Sequence, residues 1–277
     1  MFALGRVMLF RNLAWRLNAP TRQLDLTGTL FPEVDADQAT ERLRQDGLFQ
    51  GFSLPAAIRS EISSFARRTP CFGNFDRNLE LVARDHRAAE RATGKAIVTG
   101  HFFERVLDCG AARRVQQDPI LLQISRNYLG GKARITGTRL WWSFPSETAT
   151  DYDLHLASQD RLHFDLDDWR MIKYFFYVDA VDRYAGPHVY VLGSHRQRIL
   201  RHQFTLLLGH PSEEIERIYG RDAIVTLTGP EGFGFVEDPF GFHMGTLAKR
   251  GARLVLEISF GVSEHLHRRF HGEQVVH

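Results

Sequence analysis

The chain has 277 residues, and 35 lysines and arginines against 33 aspartates and glutamates give it a net charge of +2. This near balance argues against a protein built around the strong positive field that binds DNA or anionic lipid. Hydrophobic residues make up 43% of the chain and charged residues 25%, a composition that excludes wholesale disorder.

The sequence predicts a cytoplasmic protein without stable membrane insertion. Arg6, Arg11 and Arg16 interrupt the apolar first twenty residues too often for a secretory signal, and no apolar run reaches the roughly 18 residues of a transmembrane helix. We expect this segment to form a helix docked on the protein's own body or on a partner subunit. Cys71 and Cys109 are too few for a disulfide framework or a cysteine-rich zinc site, so we expect reduced thiols.

Helical signals dominate the chain up to about residue 130. Apolar residues recur at helical spacing in 39–45, 54–68 and 118–129, and glycine or proline follows each of these segments. Asp35 or Asp37 can cap the first helix. We therefore expect residues up to this point to form a mainly helical flank (1–130).

Beyond residue 130 the pattern changes to short β-branched and aromatic runs bounded by glycine, proline and aspartate. The predicted strands are 133–144, 171–181, 188–192, 223–227, 232–236 and 253–260, with one helix at 211–219. Short strands with frequent turns are typical of a sandwich or barrel. We expect one domain over residues 1–277, mainly β with flanking helices. Its core, residues 131–263, would be a double-stranded β-helix (a jelly-roll or cupin-like fold), followed by a polar tail at 264–277.

Histidine is frequent, with 13 residues in the chain. Isolated histidines are usually surface or satisfied core residues, which is our expectation for His86, His101, His202 and His210. We expect the histidines of the polar tail to bind no metal; these are His265, His267, His271 and His277.

One pair has the spacing of metal ligands, because His163 and Asp165 stand two residues apart. Side chains at this spacing point to the same side of a strand and can reach one ion. Non-haem Fe(II) sites use two histidines and one carboxylate and leave other positions open. A similar pair, His271 and Glu273, lies in the tail with no strand after it, so we do not assign it.

The segments after this pair strengthen the interpretation. An aromatic strand, MIKYFFYV, is followed by GPHVYVLGSH, and then by His243 within GFVEDPFGFHMGT. Ten residues beyond His243, Arg253 begins the last predicted strand. A hairpin with a tight turn would place Arg253 near His243, where a guanidinium can bind the far carboxylate of a dicarboxylate.

In these elements the sequence resembles the phytanoyl-CoA dioxygenase-like family of Fe(II)/2-oxoglutarate-dependent oxygenases, over roughly residues 130–260. The resemblance implies Fe(II), 2-oxoglutarate and O2 as cofactors. It implies that His163, Asp165 and His243 ligate Fe(II), and that Arg253 binds the C5 carboxylate of 2-oxoglutarate.

Other positions in the cosubstrate pocket follow the family less closely. Trp169 matches an aromatic residue that lines this pocket in some members. Leu192 replaces the proline that commonly precedes Gly-Ser-His, and Gly245 stands where many members have serine. The second departure leaves one hydrogen bond to 2-oxoglutarate unassigned, with Thr246 and Lys173 as candidates.

Several residues near the predicted ligands have a structural alternative. The second ring nitrogen of each ligand histidine needs an acceptor, and neighbouring acids could supply it, although solvated turn positions suit them better. Trp141 and Trp142 are adjacent on a strand, so at most one of them can line a cavity. The neighbouring acids are Asp167, Asp168, Glu237 and Asp238.

The resemblance implies a hydroxylase that oxidises an unactivated C–H bond of a small or carrier-tethered molecule. We expect no nucleic-acid partner, because no stripe of lysine and arginine accompanies the aromatic residues. Two alternatives stay open. A metal-binding jelly-roll protein with 2-oxoglutarate-independent chemistry would not need Arg253, and a non-catalytic binding protein would bind no iron.

Overall fold

Two antiparallel sheets pack face to face in the structure, a computed structural model that describes residues 7–8, 22–157, 161–204 and 209–263. The larger sheet has eight strands in the order β1-β9-β6-β11-β5-β4-β2-β3, and the smaller has three in the order β10-β7-β8. This arrangement with helices outside it confirms the predicted jelly-roll core. The N-terminal segment with its three arginines and the tail histidines lie outside the described residues.

The elements have the following bounds. The strands are β1 (Leu48–Ser53), β2 (Cys71–Gly73), β3 (Glu80–Leu81), β4 (Thr99–His101), β5 (Arg134–Ser143), β6 (Met171–Tyr177), β7 (His188–Val191), β8 (Ile224–Leu227), β9 (Phe233–Glu237), β10 (His243–Gly245) and β11 (Arg253–Gly261). The α-helices are α1 (Ala36–Asp46), α2 (Ala56–Arg68), α3 (His86–Thr93), α4 (Gly110–Gln116), α5 (Pro119–Leu129), α6 (Asp151–Leu156), α7 (Leu200–Phe204) and α8 (Ser212–Tyr219).

The structure confirms the predicted helices, and hydrogen bonds to nearby side chains explain where two of them begin. The side chain of Asp35 accepts hydrogen bonds from two backbone amides at the start of α1, which ends at Gly47 with φ +77°. The side chain of Asp118 caps α5 in the same way. Their apolar faces pack with α2 and α4 against one face of the larger sheet. None of the helices within the described residues has the length and hydropathy needed to cross a membrane.

Alternate side chains along the strands of the larger sheet face either the helices or the smaller sheet. β11 pairs with both β5 and β6, so side chains of these strands lie in register. On one face Leu140, Trp142 and Tyr174 join the core under the helices. On the other, Trp141 and Phe175 face the smaller sheet. Successive side chains of a strand point to opposite faces, so this second face is where a site between the sheets is built.

Four strands, β1 to β4, lie in the part of the chain where we expected mainly helix. They extend the larger sheet at both of its ends, with β1 beside β9 and β4 beside β5. Three of the four have only two or three residues, too few for an alternating pattern. β1 contains Gly51 and a register shift between Gln50 and Phe52, which obscures the period that would have identified it.

Candidate metal centre

The three predicted ligands meet because the segment that carries His163 and Asp165 pairs with β10 at the edge of the smaller sheet. The backbone amide of His163 donates to the carbonyl of His243 at 2.9 Å, and the amide of His243 donates back at 2.8 Å. The amide of Asp165 donates to the carbonyl of Pro239 at 2.8 Å. This pairing places the imidazole and carboxylate of one segment beside the imidazole of the other.

The ligand atoms converge on one point. One atom from each of His163, Asp165 and His243 lies within 4.8 Å of the other two. Asp165 Oδ1 is 4.0 Å from Nε2 of His163, and Oδ2 is 3.7 Å from Nε2 of His243. Two imidazoles and one carboxylate on one side of a shared centre form a ligand set for a divalent transition metal with open positions.

Backbone carbonyls, not acids, orient the two histidines. Nδ1 of His163 lies 3.1 Å from the carbonyl of Arg161, and Nδ1 of His243 lies 3.0 Å from the carbonyl of Gly241. Each ring therefore presents Nε2 to the shared centre. The alternative that neighbouring acids hold these nitrogens is therefore wrong. The favoured expectation of solvated turn acids is wrong as well for Asp168, Glu237 and Asp238, which are buried. The nearest carboxylate within the described residues, that of Glu237, is 4.0 Å from Nδ1 of His243.

The other neighbouring acids have structural or charge-pairing roles. The Asp168 carboxylate accepts hydrogen bonds from the backbone amides of Val262 and Ser263. Asp238 accepts from the hydroxyl of Tyr128 at 2.8 Å. Asp167 Oδ2 lies 3.7 Å from Nζ of Lys173 and lines the cavity beside the ligands.

Charges at the centre favour the protonation states that metal ligands need. Burial opposes ionisation of Asp165. The positive charges of Lys173, whose ammonium is 2.5 Å from Oδ2, and of His243 and His163 together outweigh burial and hold the pKa of this carboxyl below its usual range. Burial also lowers the pKa of His243 to about 4. At neutral pH the centre therefore offers an ionised carboxylate and a neutral imidazole, as metal binding requires.

A cavity between the sheets extends from the three ligands to Arg253. The Arg253 guanidinium is buried, where it donates to the carbonyl of Gly186 and, at 3.0 Å, to the hydroxyl of Ser143. Its Nε is buried with no hydrogen-bond partner in the part of the chain that the structure describes. The guanidinium also interacts with the hydroxyl of Tyr177. A buried guanidinium on the wall of this cavity suits a carboxylate ligand.

Arg253 reaches this cavity by a route that differs from the predicted hairpin. β10, which begins at His243, pairs with β7 in the smaller sheet, whereas β11, which begins at Arg253, lies in the larger sheet. The chain between them crosses from one sheet to the other instead of turning back on itself. The two side chains are therefore contributed to one cavity by opposite sheets.

The remaining predicted pocket residues divide into two groups. Lys173 lines the cavity, and so does Trp141, while its neighbour Trp142 is in the core as expected. Trp169 and Thr246 are not part of the lining within the described residues. The hydroxyl of Thr246 donates to the carbonyl of Pro187 at 2.7 Å, so it is already committed to the backbone.

Sequence reasoning missed a buried pair behind the centre. Nε2 of His188 lies 2.9 Å from Oε2 of Glu237, and its ring stacks on His243 with 5.6 Å between centroids. Burial, and then the charge of Arg253, lowers the pKa of His188 to about 3. Burial raises the pKa of Glu237 to about 7. The available signal was an acid within an otherwise apolar strand, FGFVE.

Aromatic rings form the cavity wall away from the ligands. His101, expected to be a surface or core residue, is buried and lines the cavity. Its ring stacks on Phe75 with 3.7 Å between centroids and on Trp141 with 6.4 Å. This wall offers flat apolar surface to an organic molecule.

Comparison with known proteins identifies the fold. No protein-family model matches the sequence, and no curated protein is significantly similar to it. A solved structure of the non-heme alpha ketoglutarate-dependent epimerase SnoN from nogalamycin biosynthesis is 16% identical and covers 82% of each chain with a TM-score of 0.54. AviO1 from Streptomyces viridochromogenes is 18% identical, and the match covers 85% of this chain and 96% of AviO1 with a TM-score of 0.52. HygX from Streptomyces hygroscopicus was solved with nickel, 2-oxoglutarate and hygromycin B bound. It is 13% identical, and the match covers 81% of this chain and 86% of HygX with a TM-score of 0.53. The chain shares the fold of these proteins.

Proposed function

We propose that the protein is an Fe(II)/2-oxoglutarate-dependent oxygenase, similar to the phytanoyl-CoA dioxygenase-like family, that hydroxylates an unactivated C–H bond of a small or carrier-tethered molecule. The observation that carries the proposal is the convergence of His163, Asp165 and His243 at one end of a cavity that also contains Arg253. The ligand set suits non-haem Fe(II) and leaves positions for a cosubstrate and O2.

The structural neighbours support the same cofactors. SnoN was crystallised with Fe3+ and alpha ketoglutarate, and HygX with nickel and 2-oxoglutarate. Both complexes also contain a small organic molecule, nogalamycin RO in SnoN and hygromycin B in HygX. A small-molecule substrate for this chain agrees with its aromatic cavity wall.

When bound, Fe(II) and 2-oxoglutarate would supply O2 activation coupled to decarboxylation of the cosubstrate. The protein's residues would do the positioning. His163 and His243 are aimed by the carbonyls of Arg161 and Gly241, so their Nε2 atoms need no reorganisation to bind metal. Arg253 would hold the C5 carboxylate of 2-oxoglutarate, since its contacts with Gly186 and Ser143 fix the guanidinium at the cavity wall.

Of the two candidates for a further hydrogen bond to 2-oxoglutarate, Lys173 lies in the cavity and Thr246 does not. The Lys173 ammonium is occupied by the metal-ligating carboxylate. We therefore assign Lys173 the role of orienting Asp165 and leave Arg253 as the main cosubstrate anchor. Trp169 is half-buried and lies outside the lining, so we assign it no role in binding the cosubstrate.

Anaerobic titration tests the metal centre directly. Fe(II) plus 2-oxoglutarate should produce a weak visible charge-transfer band in the intact protein, and Asp165→Ala should remove it. With O2, succinate should accumulate and should accumulate faster with a true substrate. An intact protein that shows neither the band nor succinate would overturn the proposal.

A matched arginine pair tests the cosubstrate anchor. Arg253→Ala should raise the 2-oxoglutarate concentration for half-maximal succinate release by roughly 10- to 100-fold, the worth of a lost charge-assisted hydrogen bond. Arg250→Ala, an exposed change in the preceding turn, should leave it unchanged. Equal effects of the two changes would exclude the assigned role of Arg253 and favour 2-oxoglutarate-independent chemistry.

A further inference from the structure

A second cluster of potential metal ligands lies outside the cavity. It consists of His202 on α7, His210 just before α8, and Glu214 on α8. Both histidines are buried, and Glu214 is half-buried. From the sequence alone, the two histidines were expected to be isolated surface or core residues. The fold brings their rings to 4.4 Å between centroids.

Two distances in this cluster are close to those in a tetrahedral site. Around a zinc ion with bonds of about 2.0–2.1 Å, neighbouring ligand atoms lie about 3.3 Å apart. Nε2 of His202 is 3.1 Å from Oε1 of Glu214, and Nδ1 of His210 is 3.5 Å from Oε2. Both separations are close to the tetrahedral value, although they involve the two different oxygens of Glu214. One ligand atom from each of the three residues lies within 4.8 Å of the other two, so an ion would draw the three side chains closer together.

The protonation states of the cluster also suit a metal ion, although the positive charges of Arg198 and Arg201 act on His210 as well. Burial lowers the pKa of both His202 and His210, and the hydrogen bond with His202 lowers the pKa of Glu214. The ligands are therefore in their metal-binding protonation states at neutral pH. The outer ring nitrogens, Nδ1 of His202 and Nε2 of His210, are buried without a partner among the described residues, so these two rings lack the acceptors that usually orient metal-bound histidines. Arg201 contacts Glu214 too, but its side chain is mostly exposed and an ion can displace it into solvent.

We propose that His202, His210 and Glu214 bind a zinc ion, with water as the fourth ligand. Such an ion would join α7 to α8 and hold both against the segments that carry the first metal centre. The amide of His210 donates to the carbonyl of Leu162 at 2.7 Å, next to His163.

The rings of the cluster extend this connection. Both His202 and His210 pack edge-on against Phe242, with centroids 5.2 and 5.3 Å away, and Phe242 directly precedes His243. Zinc at the second site would therefore brace the backbone on both sides of the catalytic ligands without taking part in their chemistry.

Zinc retention in a background that lacks the first centre tests the proposal. Full-length Asp165→Ala protein, stripped with chelator and dialysed after loading with zinc, should retain about one ion per chain by mass spectrometry. Adding Glu214→Gln should weaken zinc binding at least tenfold. Adding Glu213→Gln, an exposed change one residue earlier on the same helix, should leave it unchanged.

Cobalt substitution provides a readout that does not depend on stability. Co2+ at the proposed site should give the intense visible bands of four-coordinate cobalt in the Asp165→Ala protein, and His202→Gln should abolish them while circular dichroism shows a folded chain. Absence of retained zinc in Asp165→Ala, or equal retention with and without Glu214, would overturn the second site. Either result leaves the first centre intact, because that centre is scored by succinate release from the unaltered protein.

Discussion

The ammonium of Lys173 lies 2.5 Å from Oδ2 of Asp165, so a lysine already occupies the carboxylate that the proposed Fe(II) centre needs. Both side chains are largely buried. In the absence of metal, the charge of Lys173 offsets the free-energy cost of burying an ionised carboxylate between the sheets. When a metal binds, the same ammonium competes with it for charge on that oxygen.

Removing this ammonium should lower stability and strengthen metal binding. We expect Lys173→Met to reduce the free energy of unfolding of the metal-free protein by about 3 kcal/mol, the usual cost of leaving one member of a buried ion pair alone. Added Co2+ should stabilise the variant more than the unaltered protein. Urea unfolding with and without metal measures both effects. Lys249→Met, at an exposed turn position, is the control. Equal stabilisation by Co2+ of the unaltered protein, Lys173→Met and Lys249→Met would show that Lys173 does not compete with the metal.

Glu237 should make the stability of the metal-free protein depend on pH. Its pKa is raised by burial to about 7, above its unfolded value of about 4.3. A carboxyl with a raised folded pKa contributes stability that is full below about pH 4 and is lost as pH rises through about 7. Relative to Glu237→Gln, the unaltered protein should therefore lose about 3 kcal/mol between pH 4 and pH 8. Urea unfolding across this range measures the difference, and Glu33→Gln, at an exposed position, should show none.

The features that the sequence predicted correctly depend on local order. Caps and periodicity identified α1, α2 and α5, because each signal lies within a few residues of the element that it defines. The pairing of His163 with Asp165 is also local, since two residues on one strand share a side. The predicted hairpin between His243 and Arg253 was wrong, because a short connecting segment does not determine which sheet the next strand joins.

Contacts that depend on strand register could not be predicted from the sequence. Lys173 stands opposite Glu237 across β6 and β9, and Glu257 of β11 stands opposite Arg139 of β5. Each of these charges was visible in an apolar strand, but its partner lies on a distant part of the chain. The same limitation applies to His202 and His210, which meet only after α7 and α8 have packed.

Asp118 should contribute more stability than an ordinary helix cap. Its carboxylate accepts from the amide of Ile120 at 3.0 Å, from the amide of Leu30 at 2.6 Å and from the hydroxyl of Thr29 at 2.8 Å. Asp118→Ala removes the cap of α5 and leaves buried donors unpaired, so we expect a loss of about 3 kcal/mol. Asp35→Ala, which removes an exposed cap, should cost about 1 kcal/mol. Similar losses in thermal unfolding would show that the links to residues 29 and 30 contribute little.

Trp141 and Trp142 provide an internal test of the cavity, because adjacent strand positions separate them. Trp141 lines the cavity with the Arg139 guanidinium 5.3 Å from its ring, whereas Trp142 is buried in the core and donates to the carbonyl of Ala66. Binding of 2-oxoglutarate or substrate should therefore change the fluorescence of Trp141 and leave that of Trp142 almost constant. Trp141→Phe should remove most of the ligand-induced change at little cost in stability.

The neighbouring substitution should show the reverse pattern. Trp142→Phe leaves a space in a packed core, so we expect it to lower the free energy of unfolding by about 2 kcal/mol and to keep the fluorescence response to ligand. Titrating both variants under the same anaerobic conditions measures the two effects together. A response that survives in Trp141→Phe and disappears in Trp142→Phe would place the ligand on the helix-covered face of the larger sheet. It would thus contradict a cosubstrate site between the sheets.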